Sequence, residues 1–92
     1  MLVLTFTVHV FKEGTRYVAY VPELDVSSRG ATDEEARKNI RDAVEGFIET
    51  SADMGTLEEI LEEAGYVREG ATWQAPELVS FGRMRVSVDG LG

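Results

Sequence analysis

The chain has no cysteine, two prolines and one histidine in 92 residues. Without cysteine there is no disulfide framework and no thiolate zinc site. Nor is there a thiol nucleophile to stand beside His9. This usage suits a reducing cytoplasm, the location expected here. No glycine-rich phosphate loop occurs, since Gly14, Gly30 and Gly55 stand alone. No long apolar run is present either. The apolar start, residues 1–11, is broken at every second position by Thr5, Thr7 and His9 and has no basic flank or small-residue cleavage site. No secretory leader or membrane span is therefore expected of this segment, which reads as a strand. With no interdomain linker, repeat or low-complexity tract, residues 1–92 are expected to form one domain.

Positive charge is missing where negative charge gathers. Residues 33–63 hold eleven acids against Arg37, Lys38 and Arg41, which is the whole net charge of −8, and no base lies between Asp42 and Glu63. Such a field opposes nucleic-acid phosphates and favours a basic protein partner. The plainer reading is a solvated helix face that confers solubility.

What is present reads as α+β. Leu2, Leu4, Phe6, Val8 and Val10 alternate with Val3, Thr5, Thr7, His9 and Phe11, giving a long strand with one strongly apolar face. Turn chemistry at residues 12–15 joins it to a second strand, residues 16–21, ended by Pro22. Residues 26–29 suit a short third strand ending at Gly30. Thr32 and Glu35 form a capping box, and Ala36, Ile40, Ala43, Val44, Phe47 and Ile48 share one face of a helix expected to reach about Thr50. Gly46 inside it implies either close approach of the sheet or a tolerated surface glycine.

A second capping pattern at Thr56 to Glu59 opens a short helix closed by Gly65. Glu69-Gly70 suits a small hairpin carrying Val67 and Trp73. Residues 78–88 return to strand alternation, with Gly82 as a candidate bulge and fraying expected from Asp89. The expected architecture is β-β-β-α-(α)-β: an antiparallel three-stranded meander, a last strand beside the first, and a helix layer on one face.

Catalytic groups are sparse. His9 shares a strand face with Thr5 and Thr7, and nothing signals its pairing with Ser27, Ser28 or Ser80. Of the acids in or near the first strands and the tail, turn contexts explain Glu13, Glu23 and Asp25, and Asp89 lies near the fraying end. The cluster Glu58, Glu59, Glu62 and Glu63 lacks the glycine and spacing of a calcium loop. No enzyme, metal or cofactor is expected. Tyr17 and Tyr20 lie on opposite strand faces, so one of them points away from the helix layer. A sheet covered on one side leaves its other face for a second copy or another protein.

The string Tyr17-Val18-Ala19, Pro22-Glu23-Leu24, Ser28-x-Gly30-x-Thr32, Glu34-Glu35-Ala36, Asn39-Ile40 and Ala43-Val44 resembles the HicB-like antitoxin family. It covers about a third of the chain closely. The resemblance implies a partial ribonuclease-H-like fold without that fold's catalytic carboxylates. It further implies the antitoxin half of a toxin–antitoxin pair. The partner would be a small basic HicA-like toxin that cleaves messenger RNA with a histidine, and homo-oligomers (dimer or tetramer) would form. Longer relatives carry a C-terminal DNA-binding module. Residues 51–92 offer none, so neither direct nucleic-acid binding nor membrane association is expected. Combined with the acidic field, the resemblance makes Asp42, Glu45, Glu49, Glu58, Glu59 and Glu62 steering charges for the partner. Tyr20 and Trp73 are its candidate anchors.

Overall fold

The computed structural model describes residues 2–90. Three antiparallel strands, β1 (His9–Glu13), β2 (Arg16–Val21) and β3 (Val26–Gly30), form a sheet in the order β1-β2-β3. Gly14 takes a left-handed φ of 64° in the first turn, as a tight hairpin requires. The second turn places Asp25 at φ 54°, closes on a bond from the Asp25 amide to the Pro22 carbonyl, and holds Asp25 to the Tyr20 hydroxyl at 2.9 Å. A short acidic side chain tolerates that conformation better than a branched one.

Helix α1 (Asp33–Met54) crosses one face of the sheet. Ala36, Ile40 and Val44 meet Ala19 and Val21 of β2 in a core flanked by Val10, Tyr17, Val26 and Ile48. The period of four and three residues on the helix meets the period of two on the strand. The Thr32 hydroxyl accepts the Glu35 amide at 3.0 Å, as the capping box requires, but the Glu35 carboxylate accepts from Ala31 at 3.1 Å instead of Thr32. The helix outruns the expected end near Thr50 by a turn. Ser51 is buried, and Gly55 at φ 74° closes the helix, with the amides of Gly55 and Thr56 donating to Ala52 and Ser51. Gly46 is exposed with nothing near its missing Cβ, so it is the surface glycine of the two readings. The close approach lies at Gly30 instead, where a Cβ would fall 2.4 Å from the Ala36 nitrogen.

Helix α2 (Leu57–Glu63) follows, without a side-chain bond from its cap residue Thr56. Gly65, at φ 92°, ends it as expected, and the amides of Gly65 and Tyr66 return to Glu62 and Leu61. Strands β4 (Val67–Glu69) and β5 (Thr72–Gln74) make the expected hairpin, turning at Gly70 with φ 60°. This hairpin is a separate two-stranded sheet. Leu61, Tyr66 and Trp73 form a second core, and Phe6 packs against both cores.

Two segments expected in the main sheet lie outside it. Residues 2–8 continue the line of β1 beyond the end of β2 and belong to no ladder. Residues 76–88 also carry no regular pairing and no buried side chain, so the expected last strand beside the first does not form within the chain. Alternation makes a segment suited to a sheet, but it supplies no address. Gly82 therefore marks no bulge. The expected fraying from Asp89 lies partly outside the described residues. The radius of gyration is 16.1 Å and the long dimension 52 Å. A closely packed chain of this length would have a radius of about 12 Å.

Candidate partner-binding surface

The eight residues expected to bind a partner do not converge. Asp42, Glu45 and Glu49 recur at three- and four-residue spacing along the exposed side of α1, which places them on one face. Lys38 pairs with Asp42 at 3.8 Å and Arg41 with Glu45 at 3.7 Å, both solvent-exposed. Pairs of that kind contribute roughly 0.3–0.5 kcal/mol each. Glu58, Glu59 and Glu62 are exposed on α2, and Glu58 holds Arg68 of β4 at 3.0 Å. Three of the expected steering charges, Asp42, Glu45 and Glu58, are therefore partly matched within the chain.

The anchors separate as well. Trp73 is 9 % exposed, packed with Leu61 and Tyr66 and covered by the Arg68 guanidinium at 5.7 Å from its ring centre. It is a core residue and not a surface anchor. The hairpin forms as expected, and Trp73 is its single inward strand position. Tyr20 lies on the face opposite the helix, as strand parity requires. Its hydroxyl donates to Asp25, and this bond, more than partial desolvation and the Asp25 charge, raises its pKa above the ordinary tyrosine value. The same face carries His9 edge-on to Phe11 at 6.4 Å between ring centres. In the register, Tyr20 stands opposite His9 and Phe11 opposite Val18.

A groove of about 730 Å³ opens between residues 2–8 and α1. Leu4, Phe6 and Val8 form one wall, Ile40, Val44 and Ile48 the floor, and Arg37, Arg41, Glu45 and Glu49 the rim. Only Glu45 and Glu49 of the expected binding set reach it. Below its wall the Thr7 amide donates to both carboxylate oxygens of Glu23 at 3.0 and 3.2 Å. The Tyr66 hydroxyl donates to the Thr5 carbonyl. Burial, with a lesser contribution from the Glu23 charge, pushes the Tyr66 pKa up to about 12. Glu23 thus anchors the unpaired start of the chain. Sequence reading gave it only a turn role, because its partner is a main-chain amide 16 residues away.

No three metal-ligating side chains converge among the described residues. Asp25 is committed to Tyr20, and Glu23 to Thr7. No helix among the described residues is long and apolar enough to cross a membrane. The arrangement is that of an acidic surface with an apolar groove beside it. No protein family, curated protein or solved structure matches the chain.

Proposed function

We propose that this chain is the non-catalytic antitoxin of a toxin–antitoxin pair, a HicB-like protein that binds and masks a small basic HicA-like toxin. The observation that carries the proposal is the fit of the HicB-like string to its place in the fold. Gly30 is where β3 touches α1, Thr32 caps the helix, Ala36, Ile40 and Val44 fill the core, and the Asn39 amide donates to the Arg29 carbonyl at 2.7 Å. These six matching residues each have a structural reason to stand where they do. The exposed acids of α1 and α2 add a field that attracts a basic partner and repels nucleic acid.

Co-expression with a neighbouring small reading frame for a basic protein tests the proposal. Relief of that protein's growth arrest, with a complex recovered on purification, is the expected outcome. Growth arrest that persists beside well-expressed, folded antitoxin overturns it. An orphan homo-oligomeric domain is the second reading, favoured by the unpaired residues 76–88.

A further inference from the structure

Two segments of this chain have strand character and no strand partner. Residues 2–8 are one. Among the described residues nothing hydrogen-bonds to the main chain of Leu4 or Phe6, while the neighbouring Thr5 and Thr7 are bonded on the side facing Glu23 and Tyr66. Main-chain groups of alternate residues in a strand point to opposite sides, so one side of this segment is open. The groove next to it exposes Leu4, Phe6, Val8 and Ile48. The second segment is residues 76–88, which leaves the body with Leu78, Val79, Phe81, Met84, Val86 and Val88 exposed, Phe81 at 88 % and Met84 at 85 %. Six large apolar side chains on one segment thus lie outside any core, a patch that association would remove from water.

We propose that residues 76–88 of one copy add as a strand to residues 2–8 of a second copy and fill the groove against α1, each copy giving one arm and receiving one. Direction and charge both favour this occupant. β1 and β3 run the same way, since each is antiparallel to β2. Helix α1 returns over them in the opposite sense. An arm antiparallel to residues 2–8 therefore runs parallel to α1. Along α1 the rim reads Arg37, Arg41, Glu45, Glu49, and along the arm the charges read Glu77, Arg83, Arg85.

The two orders are complementary over matching lengths. Arg37 to Glu49 spans about 18 Å at helical rise, and Glu77 to Arg83 about 20 Å at strand rise. Arg83 and Arg85 alternate with Met84, Val86 and Val88, so they remain in water and act through the field while the apolar set enters the groove. The arm's two arginines against one glutamate would attract a basic protein less than they attract this acidic body. That favours a second copy as the occupant. The inference shares Glu45 and Glu49 with the antitoxin reading but concerns a different partner, and the association of the chain with itself is measured without any toxin.

Sedimentation of the full chain tests it. A dimer is expected, and Met84→Asp with Val86→Asp should give a monomer with unchanged helical circular dichroism, because neither side chain belongs to a core. Arg83→Glu with Arg85→Glu should weaken the dimer by about threefold or more, and adding Glu45→Lys with Glu49→Lys should recover most of the loss. The chain has no cysteine, so a short bis-maleimide can join a Val3→Cys chain to a Ser87→Cys chain, both positions lying on the face turned away from the groove. Joining in the mixture is expected. A natural chain that stays monomeric at high concentration overturns the proposal, as does a dimer unaffected by the arm substitutions. Joining only within a chain that carries both cysteines also overturns it, since each arm would then close on its own groove.

Discussion

Two glycines show how one residue type can carry opposite meanings. At Gly30 the space for a Cβ is filled by the main chain of Glu35 and Ala36, as close as 2.4 Å. Backbone cannot swing aside like a side chain, so Gly30→Ala should cost about 1–3 kcal/mol by overpacking. At Gly46 nothing lies within 4 Å, and Gly46→Ala should stabilise by about 0.5–1 kcal/mol through helix propensity alone. Denaturant unfolding of the two variants should move the midpoint in opposite directions. Tyr66 makes a separate prediction. Its folded pKa, about 12, exceeds the ordinary tyrosine value of 10.0, so as pH rises above 10 the unfolded chain loses its proton first. Stability is intact below pH 10, falls between 10 and 12, and levels off beyond. Tyr66→Phe should flatten most of that fall in an alkaline unfolding series, with Tyr20 contributing in the same direction.

At the scale of elements, the protein has two small cores joined chiefly through Phe6, which packs against both and lies 5.7 Å from Tyr66 between ring centres. The first core holds α1 and the main sheet. The second holds α2 and the hairpin, and with it the only tryptophan. Tryptophan fluorescence therefore reports the second core, and helical circular dichroism mainly the first. In the natural chain the two signals should unfold together. Phe6→Ala should cost about 3–5 kcal/mol and separate the transitions, with fluorescence changing at lower denaturant. Coincident transitions in that variant would show a coupling route other than Phe6.

The elements also differ in how legible they were. The two hairpins, both helices and the inward positions of α1 follow from local chemistry: Gly14, Gly65 and Gly70 at left-handed φ, the Thr32 cap, and a helical apolar period. The extra turn of α1 was hidden by Thr50 and Ser51, weak helix formers that fit because Ser51 is buried there. Trp73 was misplaced because three-residue strands leave too little alternation to assign a face. Residues 78–88 were read as a strand from alternation alone, which carries no information on whose edge receives them. The acidic field was legible from the sequence. The groove was not, because it depends on where β2 stops relative to β1.

For the whole molecule, charge and shape divide the labour. The acids of α1 and α2 project from the body, and most of them have no cationic partner among the ion pairs of the described residues. A basic partner of the proposed kind should therefore be drawn by the field before it docks. Glu45→Lys with Glu49→Lys should lower its association rate about tenfold at low salt and change dissociation much less, in stopped-flow or surface-based kinetics. Raising ionic strength should narrow the difference. An association rate unchanged by reversal would place the steering elsewhere.

The open edge at residues 2–8 and the free arm at residues 76–88 are complementary surfaces on the same chain, and that has a consequence for symmetry. Reciprocal exchange between two chains satisfies every edge and stops, giving a closed pair with a two-fold axis. One-way exchange leaves an edge free at one end and an arm at the other, and it adds copies without limit. The angle at which the chain leaves Pro76, seated close to Gly65, decides between a finite particle and a fibre.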